Sequence, residues 1–305
     1  MVRMAAVSVG SNTVHALIAE VADGHLEEIS RRALLPALGA AVEKTGRIGP
    51  EKREEALGYL RQLVQEARQA GCEEILCGAT AAVRRAADGG EFLAAAEVKV
   101  GLPLRLVSGR REAQLSFLGA ASAHSHKGQW LLADLGGGST ELVVAEGRAG
   151  LVYVSLELGS AALAARHLGD LPTREERAKV RRDALTALRD GPECEPERLV
   201  VTGGTSSTLP RILSPENPPG ILSRAALLEL ADRLDAEPAA ALSRRLAVPD
   251  ARLRSMRAGV EILLLLLDWC GLDILHVSHQ GLRHGMLIAH QRSGDDWWRE
   301  AEPRP

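Results

Sequence analysis

Two glycine-rich turns that lie 126 residues apart constrain the fold of this chain more than any other feature. The second turn, Gly136-Gly137-Gly138-Ser139, follows an apolar run that ends at Asp134 and precedes the apolar segment 142–145. This pattern predicts a strand, a tight turn and a second strand. A shift of 126 positions places Gly10-Ser11-Asn12-Thr13 and its apolar flanks over the same pattern. The chain is therefore expected to contain two copies of one unit, each with a glycine hairpin.

Glycine turns of this kind are suited to phosphate, because they let the backbone approach a ligand and direct amides toward an anion. Asp134 and Glu141 add carboxylates on either side of the second turn, and hard cations such as Mg²⁺ prefer oxygen ligands. A plain glycine-rich hairpin without a ligand is the structural alternative. The duplication argues against it, since two such hairpins facing each other would clamp a polyphosphate. At one position the copies differ, because Ser8 stands where the second copy has Asp134.

Two charged residues follow other predicted strands. Arg84 comes after the apolar strand 74–78, in a segment that Thr80 is expected to cap. It either contacts phosphate at a helix N-terminus or belongs to a solvated helix face. Glu112 lies in the first turn of a helix predicted from Arg110. It is either a general base or a carboxylate that the helix dipole favours at that place.

A further glycine turn, Gly203-Gly204-Thr205, follows the apolar strand 199–201 and begins a helix. In a nucleotide-binding fold, such a turn would be a third phosphate or nucleotide contact. The alternative is a helix N-terminus with small residues that serve packing only. The sequence pattern leaves both interpretations open.

Charge and composition exclude several classes of function. A net charge of −3 argues against general attraction to nucleic acid or membranes, and 3% aromatic residues are too few for base stacking. The longest apolar run, 262–267, is too short to span a bilayer and is expected to be a buried helix. We expect no cationic secretory leader, and the four cysteines form no close metal-ligand pair. We therefore expect reduced thiols and a cytoplasmic location.

Strands alternate with helices in both halves, and the glycine hairpins lie at matching places. This organisation predicts an α/β protein of two ribonuclease-H-like domains with a cleft between them, residues 1–122 and 123–305. The same superfold occurs in actin, Hsp70 and sugar kinases, which bind phosphoanhydrides. The fold alone does not choose between kinase, ATPase and phosphohydrolase.

Five ordered segments resemble the motifs of the exopolyphosphatase / guanosine pentaphosphate phosphohydrolase family. They are Gly10–Val14, Ala79–Arg84, Ser108–Ala113, Asp134–Glu141 and Gly281–Arg283. They extend over most of the chain, which resembles the short two-domain members of that family. The resemblance implies release of terminal phosphate from inorganic polyphosphate or guanosine pentaphosphate, with Mg²⁺ as cofactor or Mn²⁺ in its place. It also implies that a homodimer could form, while the net charge predicts no nucleic-acid or membrane partner.

The resemblance implies roles for individual residues as well. Glu112 would be the general base that orients or deprotonates water, and Asp134 and Glu141 would be catalytic carboxylates that hold the metal. The residues expected to bind phosphate are Gly10, Ser11, Asn12, Arg84, Gly136, Gly137, Gly138, Ser139, Gly204 and Thr205. Such a set fits phosphoryl transfer, which needs an oriented nucleophile and neutralised oxygens more than covalent help.

Four positions depart from the family pattern. The family usually has Asp at the positions of Ser8 and His279 and Glu at that of His284, and it often has Arg at that of His15. Fewer carboxylates predict weaker metal binding and easier binding of anions without metal. Two alternatives to a hydrolase therefore stay open. One is a catalytically weak paralogue that binds polyphosphate or a guanosine alarmone as a regulator, and the other is a small-molecule kinase that binds an adenosine nucleotide.

Overall fold

The computed structural model describes residues 1–22, 25–124 and 126–300. The protein is α/β, with two mixed β-sheets and helices packed against them. Two compact units form the chain. The first consists of Met1–Ser122 together with the chain from Gln280 onward, and the second is Ala123–His279.

The first unit is built on a five-stranded sheet. Its strands are β1 (Val2–Val9), β2 (Val14–Ala22), β3 (His25–Leu34), β4 (Glu74–Ala79) and β5 (Leu104–Leu106). Its helices before the second unit are α1 (Leu38–Thr45), α2 (Pro50–Gln69), α3 (Ala81–Arg85), α4 (Gly89–Val100) and α5 (Gly109–Ala123). The strand order is β3-β2-β1-β4-β5, in which β1 is antiparallel to β2 and parallel to β4.

Strand β1 is buried on both faces, which explains its continuous apolar sequence. Val7 and Val9 pack in one core cluster together with α2, while Met4 and Ala6 pack in another on the opposite face. Helix α2 begins with proline, whose fixed φ suits the first helical turn. The helix ends before Gly71, which has a φ of +77°. Pro50 and Gly71 thus mark the two ends of the helix.

The second unit repeats this sheet with one additional strand. Its strands are β6 (His126–Leu135), β7 (Thr140–Gly147), β8 (Ala149–Leu156), β9 (Arg198–Thr202), β10 (Ile221–Ser223) and β11 (Ile274–Val277). Its helices are α6 (Ser160–His167), α7 (Arg174–Leu188), α8 (Gly204–Leu213), α9 (Arg224–Asp235), α10 (Ala239–Leu246) and α11 (Asp250–Cys270). The strand order is β10-β11-β9-β6-β7-β8. Without β10, this order matches that of the first unit, so the predicted pair of ribonuclease-H-like sheets is confirmed.

Helix α11 is the central helix of the second unit, as the apolar run 262–267 predicts. Every residue from Met256 to Leu267 is buried, and the helix packs against α6, α7 and α9. Among the described residues, no helix has the length and apolar character needed to cross a bilayer.

The last helix, α12 (Leu282–Ser293), corrects the predicted domain boundary. The sequence analysis assigned residues 123–305 to the second domain, but the chain from Gln280 onward belongs to the first unit. Helix α12 covers β1 and β2, and it packs closely on α5 because Gly285 has no side chain. A Cβ atom at Gly285 would lie 1.8 Å from the carbonyl oxygen of Leu115. Residues 301–305 lie outside the described residues.

Candidate active site

The carboxyl ends of three parallel strands meet at one edge of the first sheet. Val9 of β1 pairs in register with Ala79 of β4, which pairs with Leu106 of β5. The first glycine turn, helix α3 and helix α5 each follow one of these strand ends. Ligands in open α/β sheets usually bind at this edge. The candidate residues of the first unit are therefore gathered by the topology.

The first glycine turn is closed by its own backbone and supported by helix α1. The amide of Gly10 donates to the carbonyl oxygen of Thr13 at 2.9 Å. The carbonyl oxygens of Ser11 and Asn12 accept hydrogen bonds from the amides of Gly39 and Ala37, at 2.6 and 3.1 Å. These bonds fix the turn against the start of the helix.

The second glycine turn has the same geometry. The amide of Gly136 donates to the carbonyl oxygen of Ser139 at 3.0 Å, and the carbonyl oxygen of Gly137 accepts from the amide of Ala161 at the start of α6. The strand registers agree as well: Ser8 lies opposite His15 in the first hairpin, as Asp134 lies opposite Glu141 in the second. The turn and strand positions of the two hairpins are related by the shift of 126 residues seen in the sequence.

This geometry decides which amides remain for an anion. Gly10 and Gly136 were expected to bind phosphate, but their amides close their own turns. Within the described chain, the amides of Gly137, Gly138 and Ser139 have no hydrogen-bond partner. In the second turn, these three amides are therefore the ones available for the expected anion contacts.

Asp134 and Glu141 are brought together by the register of the second hairpin. Residues directly opposite each other in an antiparallel pair have side chains on the same face, with Cβ atoms about 5 Å apart. Both are buried, with 9% of Asp134 and 1% of Glu141 exposed. The hydroxyl of Ser155 donates to Oε1 of Glu141 at 2.8 Å. The second hairpin thus presents two adjacent carboxylates, one of them oriented by a neighbouring strand.

These carboxylates fit the donor set of a magnesium ion. Mg²⁺ is usually held by one or two carboxylates, keeps several waters and binds substrate phosphates directly. Among the residues that the structure describes, no three His, Cys, Asp or Glu side chains form a metal-binding group. A pair such as Asp134 and Glu141 would therefore leave positions for water and phosphate.

Glu112 lies in the first turn of α5 and is 7% exposed. Its Oε2 is 3.2 Å from Nη1 of Arg84, and the same nitrogen donates to the carbonyl oxygen of Val107 at 2.8 Å. The structure thus pairs Arg84 with the proposed base. Thr80 occupies the N-cap position of α3, as expected, but its side chain makes no capping hydrogen bond.

The turn at Gly203-Gly204-Thr205 approaches the end of β6 closely. Gly203 has a φ of +103°, and a Cβ atom there would lie 2.3 Å from the carbonyl oxygen of Leu135. Thr205 is 3% exposed, and its hydroxyl lies 3.5 Å from that of Ser160. Its side chain is therefore part of the packing under the turn, while the backbone of Gly204 is adjacent to a cation.

That cation is Arg252, which the sequence analysis missed. Its Nη1 would be 2.1 Å from a Cβ atom at Gly204, so the guanidinium lies against the turn. Burial lowers the pKa of Arg252, and none of the carboxylates in the described residues pairs with it. A single arginine near the start of an apolar helix was the only signal in the sequence.

The residues that depart from the family pattern also have defined places. Nη1 of Arg283 donates to the hydroxyl of Ser8 at 3.1 Å. His284 is buried, and its Nε2 lies 3.7 Å from Oε2 of Glu28 on β3. The neighbouring His284 and the hydrogen bonds from Arg31 lower the pKa of Glu28 to about 2.

Comparison with known proteins supports the fold and the resemblance. The model of the Ppx/GppA phosphatase family matches residues 17–293. A crystal structure of an Aquifex aeolicus member of that family is 28% identical, with a TM-score of 0.78, over 96% of this chain and 99% of that one. A structural study of the Aquifex aeolicus PPX-GPPA enzyme gives 30% identity and a TM-score of 0.76, over 94% and 99%.

An exopolyphosphatase from Cytophaga hutchinsonii shares the fold, with 21% identity and a TM-score of 0.87 over 95% and 98% of the two chains. The span that the family model matches includes Arg84, Glu112, Asp134 and Glu141, whereas Ser8 precedes it. On this evidence, the chain belongs to the Ppx/GppA phosphatase family.

Proposed function

We propose that this protein is a phosphohydrolase that releases terminal phosphate from inorganic polyphosphate or guanosine pentaphosphate, with Mg²⁺ as cofactor or Mn²⁺ in its place. The observation that carries the proposal is the second hairpin, where Asp134 and Glu141 lie opposite each other beside three amides without a partner in the described chain. Family membership and the name of the Cytophaga hutchinsonii protein support this substrate class.

Glu112 is the residue proposed to act on water. Its carboxylate would accept a proton from the water that attacks the terminal phosphorus, while the bond from that phosphorus to the bridging oxygen breaks. Arg84 would hold the carboxylate in one orientation through the 3.2 Å contact. General-base catalysis by a positioned side chain contributes about 10²–10⁴-fold to the rate.

The phosphate oxygens would be bound by backbone amides. Gly137, Gly138 and Ser139 supply these amides in the second unit, and Ser11 and Asn12 supply the equivalent ones in the first. Preorganised amides stabilise the charge of a transferring phosphoryl group without reorganising during the reaction. Arg252, beside Gly204, would add a cation to the contacts of the second unit.

Asp134 and Glu141 are proposed to hold the metal ion. When bound, Mg²⁺ would neutralise charge on the phosphate oxygens. The hydroxyl of Ser155 donates to Oε1 of Glu141 and would orient that carboxylate for the role.

A catalytically weak paralogue that binds the same anions as a regulator is the second candidate. The contact between Arg283 and Ser8 favours it, because the hydroxyl of Ser8 stands at this strand end where relatives usually have a carboxylate. Such a site would bind polyanions yet hold metal poorly. We rank it second because Glu112, Asp134 and Glu141 are all retained.

The two candidates differ in phosphate release. The test measures release from long-chain polyphosphate and from guanosine pentaphosphate, with Mg²⁺ or Mn²⁺, by the parent, Glu112→Gln and the control Glu54→Gln. Glu54 is a surface carboxylate paired with Lys99, so its variant should match the parent. We expect Glu112→Gln to lose at least about 100-fold in activity. A parent that binds both substrates but releases no phosphate would support the regulator instead.

A further inference from the structure

The segment after α12 returns to the helix that carries Glu112. It begins with a short 3-10 turn, Gly294–Asp296, and continues through Trp297, which is 3% exposed. The indole packs in a core cluster with Val107 and Leu115, and a Cβ atom at Gly78 of β4 would lie 3.2 Å from it. The segment is therefore part of the folded unit at this point.

Arg111 connects this segment to the first turn of α5. Its Nε and Nη2 both donate to the carbonyl oxygen of Trp297, at 2.9 and 2.6 Å, and its Nη1 donates to Oε1 of Gln114 at 3.0 Å. The side chain is buried, with 7% of the residue exposed. Because the guanidinium is planar and donates twice to one oxygen, it fixes the orientation of the first turn of α5 relative to the carbonyl of Trp297.

Ser108 forms a second connection one turn earlier. Its hydroxyl donates to Oε1 of Glu300 at 2.6 Å and accepts from the amide of Arg111 at 3.1 Å, which caps the helix. Its carbonyl oxygen accepts from the amide of Glu112 at 2.8 Å. Two residues that precede the proposed base, Ser108 and Arg111, are thus both hydrogen-bonded to the segment 297–300.

We propose that Arg111, anchored on the carbonyl of Trp297, is a positioning residue for Glu112, and that Ser108 and Glu300 assist it. This inference rests on the proposed function of Glu112 as the base. Glu112 directly follows Arg111, so a rotation of the first turn of α5 would move its carboxylate away from Arg84. A displacement of about 1 Å at a reacting group can cost about 100-fold in rate.

The experiment compares kcat and KM for polyphosphate hydrolysis in the parent, Arg111→Met and Arg111→Lys. We expect Arg111→Met to lower kcat at least about tenfold with KM within about twofold of the parent. Arg111→Lys, which keeps one donor, should recover part of that loss. Glu300→Ala removes only the exposed hydrogen bond from Ser108 and leaves the core intact. We expect it to lower kcat less than Arg111→Met does.

Two controls separate positioning from a general loss of stability. Arg257 is another buried arginine that donates to backbone carbonyls, including that of Leu234 at 2.9 Å, in the second unit. Arg257→Met should lower the melting temperature as Arg111→Met does. Its kcat, measured below the melting temperature, should equal that of the parent. Arg299→Ala alters the same segment, where Arg299 pairs with Asp296, and it should leave kcat unchanged.

Amide hydrogen exchange of residues 109–115 provides a readout that needs no activity. We expect faster exchange there in Arg111→Met than in the parent, with α2 unchanged. Equal kcat and equal exchange in Arg111→Met and the parent would overturn the proposal, as would an equal loss of kcat in Arg257→Met. If Glu112→Gln retains activity, the proposed base is wrong. In that case hydrogen exchange shows only whether Arg111 orders the first turn of α5, and the proposed positioning role of Arg111 is wrong as well.

Discussion

Nη1 of Arg283 lies 3.1 Å from the hydroxyl oxygen of Ser8, at the end of the first strand of the chain. The equivalent position in the second unit is Asp134, whose strand partner is a second carboxylate, Glu141. The two copies of one hairpin thus carry different chemistry. The first presents a hydroxyl beside a guanidinium, and the second presents two carboxylates that suit a cation.

We expect Ser8→Asp to stabilise the fold without lowering the Mg²⁺ concentration that phosphate release requires. A carboxylate at this position would accept a charge-assisted hydrogen bond from Arg283, which contributes about 1.5–3 kcal/mol when a charged group is involved. The half-saturating Mg²⁺ concentration for phosphate release should stay within about threefold, and Ser8→Asn serves as the neutral control. A fall of about tenfold or more in that concentration would show that this position holds the metal.

Ser155→Ala should weaken metal binding through Glu141. The hydroxyl of Ser155 orients that carboxylate at 2.8 Å, and loss of such an outer partner typically costs about 10–100-fold in metal affinity. The measurement is Mn²⁺ binding by calorimetry. The control is Thr186→Val, since Thr186 donates only to the backbone of its own helix. Equal Mn²⁺ affinity in Ser155→Ala and the parent would contradict metal binding by Glu141.

Gly159→Ala should impair the second glycine turn. A Cβ atom there would lie 2.3 Å from both the carbonyl oxygen of Gly137 and the Cα of Gly138, so the turn must shift. Gly58→Ala is the matched control, because a Cβ at Gly58 in α2 meets nothing within 4 Å. We expect Gly58→Ala to raise stability by about 0.5–1 kcal/mol, and Gly159→Ala to lower both the melting temperature and phosphate release. Unaltered release would exclude this turn from the active site.

Glu28 should stabilise the first unit in a pH-dependent manner. The neighbouring His284 and the hydrogen bonds from Arg31 lower its pKa from 4.5 to about 2. A carboxyl with a lowered pKa contributes stability that is present above its unfolded pKa and lost as the pH falls toward the folded value. The melting temperatures of the parent and Glu28→Gln should therefore differ near neutral pH and converge between pH 4.5 and about 2. Equal melting temperatures of the parent and Glu28→Gln at every pH would contradict this prediction.

Local sequence patterns were sufficient for the hairpins and for helices α5, α8 and α11. Glycines between alternating apolar runs specify a strand, a turn and a strand, and the length of the turn then places Asp134 opposite Glu141. The duplication supplied the fold, because two copies of one hairpin are expected to occupy equivalent places. These features depend on neighbours in sequence, which is why they could be predicted.

Features that depend on distant partners could not be predicted in this way. The apolar pattern of α12 indicates a helix, but it does not say which sheet the helix covers. The hydrogen-bond partners of the Gly10 and Gly136 amides depend on the exact turn geometry. Only the structure shows that both amides donate to carbonyl oxygens within their own turns. Arg252 looks like any helical arginine until its guanidinium is found beside Gly204. The short strand β10 follows a proline-rich loop and gave no pattern of its own.

The return of α12 to the first sheet has a consequence for synthesis on the ribosome. One face of β1 and β2 stays uncovered by α12 until the chain beyond Gln280 has emerged, after the whole of the second unit. At about 5–20 residues per second, this delay is on the order of 8 to 30 s. During that time the nascent first unit exposes Met4, Ala6 and Leu17, which α12 later buries. The second unit is contiguous and can fold first, so the order of folding is expected to oppose the order of translation.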